Sequence, residues 1–190
     1  MPNPVTQIET QCSEEIFQRV AGDLSMIADR ELDVVSVDTR VLDHRAAGSG
    51  QIHISFRLGF GLEDRLEHGT LLVPLPEAIT LAGSLMMVTD DVIEQCRAQA
   101  TLDEPTKNAM LEVGNFIAGA TEAAFRALEV PCKVSFEGCQ GVKADVRPRL
   151  LYSEGEEMVT SSAQVQLAGY GESEFLLLVP RQTWAAKAAA

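Results

Sequence analysis

Two short phrases occur twice in this sequence, and their repetition constrains the fold more than any other feature. Glu15, Gln18, Ala21 and Gly22 have the same spacing as Glu112, Asn115, Ala118 and Gly119. Leu-Leu-Val-Pro occurs at 71–74 and again at 177–180, each time closing a strand-rich stretch. Each half therefore runs helix, strands, LLVP and then a possible helix. Such self-similarity implies two half-domains, about 13–86 and 105–190, that share one sheet and place their long helices equivalently. The 190 residues are expected to form one domain.

Local patterns fill in the elements. Residues 13–31 carry Ile16, Phe17, Val20, Leu24 and Ile27 at helical spacing, with Ser13 as the expected N-cap. Alternating β-rich runs at 34–42 and 51–60 flank a loop, and 69–75 is a third strand. Pro76 suits the first turn of a helix over 76–86, and another helix covers roughly 88–99. A long helix is predicted over 105–128, then strands at 133–138, 147–153, 158–169 and 174–180. The closing QTWAAKAAA is either a short helix or a tail. The predicted class is α+β, a largely antiparallel sheet with the two long helices packed on one face.

Charge narrows the function. Acidic residues number 28 against 15 basic, a net charge of -13 that repels phosphate backbones and argues against nucleic-acid binding. The start, MPNPVTQIETQ, lacks the basic and apolar regions of a signal peptide. No apolar run approaches the roughly 20 residues of a membrane span, so a cytoplasmic protein without membrane insertion is expected. Cys12, Cys96, Cys132 and Cys139 are scattered, and His44, His53 and His68 are isolated. Neither set has zinc or triad spacing, and no phosphate loop occurs, which leaves a small-molecule enzyme without a motif.

The long second helix holds the residues of interest. On a helical wheel, Asn108, Asn115, Gly119, Glu122 and Arg126 fall within about 80° on one side of Glu112. Met110, Val113, Phe116, Ile117, Ala120, Ala124 and Leu128 form the predicted buried face. Glu112 and Asn115 are thus exposed neighbours one turn apart, with Gly119 leaving a shallow gap beside them. Any amphipathic helix has a polar face. Yet Asn and Gly each cost roughly 0.5–1 kcal/mol relative to Ala in a helix interior, so a face without a task would more cheaply use Lys, Gln or Ala.

The run LEVGNFIAGA, following a helical LPEAITLAGSLM segment, resembles the CheC/CheX/FliY phosphatases of bacterial chemotaxis. Their helices carry E-x-x-N within the phrase E-[LV]-[GA]-N-[IM]-x-[AG]-G, which Glu112, Gly114, Asn115, Ala118 and Gly119 fit. The resemblance covers about 50–180. One complete motif, in the second half, makes it most like CheX. Two positions depart: Asn108 stands where Asp or Ser is common, and Gly138 stands where the family has a proline.

The resemblance implies hydrolysis of the aspartyl phosphate of a CheY-like response regulator. Asn115 would orient the attacking water, and Glu112 would pair with the receiver's lysine to fix docking. An amide suits that role because it both accepts and donates. Mg²⁺ would come from the receiver, so no cofactor of the chain's own is expected. Glu15 and Gln18 would be a degenerate second site, although Gln also positions waters. A homodimer through edge strands is implied as well. The alternative is a non-catalytic module of the same fold that binds a response regulator or the flagellar switch.

Overall fold

The computed structural model describes residues 4–100, 102–153 and 155–184. The elements are α1 (Gln7–Ala28), β1 (Leu32–Leu42), β2 (His53–Gly61), β3 (Leu66–Pro74), α2 (Leu75–Leu85), α3 (Asp90–Gln99), α4 (Glu104–Ala127), β4 (Lys133–Val142), β5 (Met158–Leu167) and β6 (Glu172–Pro180). All pairings are antiparallel, in the order β1-β5-β6-β3-β2-β4. Exchange β1, β2 and β3 for β4, β5 and β6, and the same order is recovered from the opposite edge. The expected α+β class and internal twofold are both present.

The axis can be located. Leu71 pairs with Leu177, flanked by Thr70 with Leu178 and Leu72 with Leu176. Leu71 and Leu177 hold the same place in the two LLVP phrases, so exchanging the halves maps this pair onto itself. The helices agree in register. Aligning Glu15 with Glu112 places buried Glu9, Cys12, Ser13, Ile16, Phe17, Val20, Ala21, Leu24 and Ala28 on Thr106, Ala109, Met110, Val113, Gly114, Ile117, Ala118, Thr121 and Phe125. All of these are buried too. The N-caps Thr6 and Asp103 also coincide.

α1, α2 and α4 cover one face of the sheet. Alternation along the strands sends Ile54, Phe56, Leu58, Phe60, Leu71, Val73, Phe175 and Leu177 into that core. The opposite face carries a smaller cluster of Leu72, Met158, Leu176 and Leu178, packed under Ala46, Leu150 and Tyr152. Those last residues lie on the two equivalent loops, 43–52 and 143–157, which bond to each other. Asp145 N–H donates to the Gly48 carbonyl (2.9 Å), and Arg45 donates to the Pro148 carbonyl (2.8 Å). Segment 147–153, predicted as a strand, belongs to this loop. Pro148 has no N–H to give a ladder, and Leu150 packs onto the sheet face instead of extending its edge.

Other boundaries shift for local reasons. α1 starts at Gln7, not Ser13, because Thr6 and Glu9 form a capping box, worth about 1 kcal/mol. Ser13 is fully buried in the helix, donating to the Glu9 carbonyl (2.8 Å) and accepting from the Ser161 hydroxyl (2.7 Å). α1 ends at Ala28, with Asp29 left-handed at φ 46°. α3 buries one residue, Ile93, which fills the space a side chain at Gly83 would need. Of the closing segment, 182–184 are helical, and the rest of that expectation lies outside the described residues.

Candidate docking face of α4

α4 begins where Asp103 accepts a hydrogen bond from the Thr106 N–H (2.9 Å) and Pro105 occupies the first turn. The Thr106 side chain first and its N–H second hold the Asp103 carboxyl below its ordinary 3.8. The buried register fixed above turns Glu112, Asn115 and Gly119 to solvent, as expected. Neither the Glu112 carboxylate nor the Asn115 amide has a hydrogen bond or ion pair among the described residues. A Cβ at Gly119 would meet nothing within 4 Å. The pair stands at the open surface of a helix whose other side is locked into the core.

The second glycine has a different cause. A Cβ at Gly114 would lie 2.2 Å from the Phe136 ring, so the absent side chain lets β4 pack directly on α4. In α1 the corresponding position is Phe17, itself buried. The aromatic ring comes from the helix in the first half and from the strand in the second.

Gly138 is likewise local geometry. Glu137 and Gly138 together oppose Arg57, a bulge in β4, and Gly138 has φ +100°. Proline, held near φ −65°, does not fit that backbone. β1 has its own bulge at Val35, so both edge strands of the sheet are interrupted. Asn108 is exposed on the same stripe as Asn115.

Three wheel assignments need correction. Phe116, expected in the core, is 39% exposed, and Leu128 is only half-buried at the C-cap. Glu122, expected outside, is half-buried: it accepts from the Val134 N–H (3.0 Å) and from Arg126 (2.9 Å), tying α4 to β4. The buried arc is centred on Val113, Gly114, Ile117 and Thr121, and Phe116 falls off its edge. Burial and Glu122 push the Cys132 thiol nearby up to about 12.

At the first-half site, Gln18 is exposed, but Glu15 accepts a charge-assisted bond from Arg19 Nε at 2.5 Å. Gln11, Glu14, Glu15 and Gln18 rim a groove of about 510 Å³ floored by Val34–Val37 of β1 and Leu128. The sequence did not reveal one polar pair on the sheet face away from the helices: His68 Nδ1 lies 2.8 Å from Glu137. Only the register across β2 brings them together. Among the described residues no cluster of three or more His, Cys, Asp or Glu could hold a metal ion. No described helix is long and apolar enough to cross a membrane.

Solved structures share this arrangement. Thermotoga maritima FliY superposes with a TM-score of 0.70 over 97% of this chain and 96% of that one, at 15% identity. The chain and that protein have the same fold. The FliM middle domain from H. pylori matches with a TM-score of 0.67 over 96% and 99% of the two chains, at 9% identity. The chemotaxis protein CheX from Desulfovibrio desulfuricans matches at 0.55 over 88% and 98%, at 13% identity. No protein-family model and no curated protein matches the sequence. At these identities the likeness shows the fold alone. CheX is one neighbour among several, so the expected special likeness to it is not established.

Proposed function

We propose that this protein is a phosphatase for the aspartyl phosphate of a CheY-like receiver domain, acting through α4. One observation carries the reading: on a helix whose opposite side is locked into the core, Glu112 and Asn115 stand side by side, solvent-exposed and unbonded. Asn115 enters the receiver's site and orients a water in line with phosphorus. Glu112 pairs with a receiver cation and sets the docking register. The receiver supplies Mg²⁺ and its own acidic cluster. Positioning and charge stabilisation are what phosphoryl transfer needs from a protein, and an amide plus a carboxylate provide both. Glu15 and Gln18 form a degenerate site, because Arg19 already occupies the carboxylate. Pairing of edge strands into a homodimer is part of this reading.

The test is loss of phosphate from acetyl-phosphate-treated CheY-like receivers of the same organism, with and without the protein. Acceleration of at least one receiver supports the reading. No acceleration of any, with retained binding, favours the second reading, a non-catalytic binding module. That alternative draws on the neighbours of this fold in the flagellar switch, including a FliG–FliM complex from H. pylori.

A further inference from the structure

The internal twofold makes α1 a built-in control for α4. Aligned as above, Glu14 corresponds to Leu111 and Arg19 to Phe116. In α4 both positions are apolar and open to water, with Leu111 41% and Phe116 39% exposed. They flank Glu112 and Asn115 in sequence, one on each side of the pair. In α1 both are charged, and Arg19 clamps Glu15. At the equivalent positions of α1 the same fold carries charged residues. The Phe116 ring has no aromatic partner among the described residues, and Phe is a poorer helix former than the Arg in its place on α1.

We infer that Leu111 and Phe116 are positioning residues that seat the receiver domain on α4, while Glu14 and Arg19 deny the same seat on α1. The inference rests on the proposed docking of a receiver to α4 and names what distinguishes the two helices. Phe116 acts twice. Its ring supplies apolar area next to the reacting amide, where a rigid aromatic anchor loses little entropy on binding. It also replaces the arginine that would neutralise the adjacent carboxylate, so Glu112 keeps its charge for a receiver cation. An arginine here would remove both contributions. Asn115 itself would stay in place, because all these side chains are on the solvent side of a helix whose buried face is untouched.

The experiment uses the full chain and the receiver it dephosphorylates, with parent, Phe116→Arg, Phe116→Met and Asn115→Ala compared. Phe116→Arg is expected to raise KM about tenfold or more with kcat changed less than about twofold. It should weaken binding of the beryllofluoride-loaded receiver to the same extent. Phe116→Met should restore KM to within about threefold of the parent, because it keeps the apolar surface and adds no charge. Asn115→Ala should show the opposite split, with kcat lost and binding kept. An unchanged KM and unchanged binding in Phe116→Arg would overturn the inference while leaving the phosphatase reading intact. If the parent has no activity, the catalytic reading fails, and the binding titration across the CheY-like receivers still decides: loss in Phe116→Arg upholds the seat, and equal binding or none in the parent overturns it.

Discussion

The ring of Phe136 lies against the backbone of Gly114, with Cζ 2.2 Å from where a Cβ would sit. Strand β4 is thereby held on the buried side of the helix that presents Glu112 and Asn115. Gly114→Ala must push the ring away. Overpacking costs of roughly 1–3 kcal/mol exceed the ~1 kcal/mol of helix propensity that alanine adds, so a net loss of stability is expected. Urea denaturation checks it, and a stabilised variant would mean that Phe136 swings out freely.

Gly119 is the opposite case. Its missing side chain touches nothing, so Gly119→Ala should stabilise the protein by roughly 0.5–1 kcal/mol through helix propensity alone. If the gap admits a partner's surface, the same variant should be slower on a phosphorylated receiver. Gly22→Ala, equally open on α1, should gain stability without that loss. Activity and denaturation measured on both variants separate docking from folding.

Removing the amide should act on the transition state. Asn115→Ala is expected to lower the dephosphorylation rate roughly 10²-fold or more, the scale for loss of one preorganised polar group. Its binding of the receiver should be nearly unchanged. Full activity in this variant would refute the mechanism.

Glu112→Ala should weaken docking, and its deficit should shrink as salt rises, because an exposed charge pair is screened. Gln18→Ala should change little, since Glu15 beside it is held by Arg19. Titrating activity against ionic strength for the two variants tests the asymmetry.

Asp103 makes the start of α4 sensitive to acid. Its bonds to Thr106 lower its carboxyl below 3.8 in the folded chain. A depressed folded value means the contribution is complete above the unfolded value and is lost as pH falls through the folded one. Melting temperature should therefore drop on acidification below that range. Asp103→Asn, which keeps a capping oxygen but has no proton to gain, should remove that part of the acid dependence. An identical pH profile in both proteins would show that the cap does not contribute.

The exposed stripe of α4, the repeat and the antiparallel α+β class were all legible in the sequence, because each rests on spacing. A period of 3.6 turns Glu112, Asn115 and Gly119 outward, and two LLVP phrases imply two equivalent strands. Spacing does not say where the buried arc is centred. Phe116 is as apolar as Ile117, and only the packing of β4 on Gly114 and Phe125 against Phe60 rotates α4 enough to leave Phe116 in water. Nor does a local pattern distinguish a strand from an apolar loop lying on a sheet face, as 147–153 does. That Glu15 has Arg19 one turn along the same helix, and Glu112 has Phe116 there instead, is local and stands in the sequence. What only the tertiary structure decided is that no other described element brings a cation or donor to Glu112, because the strands and helices packed on α4 lie against its opposite side.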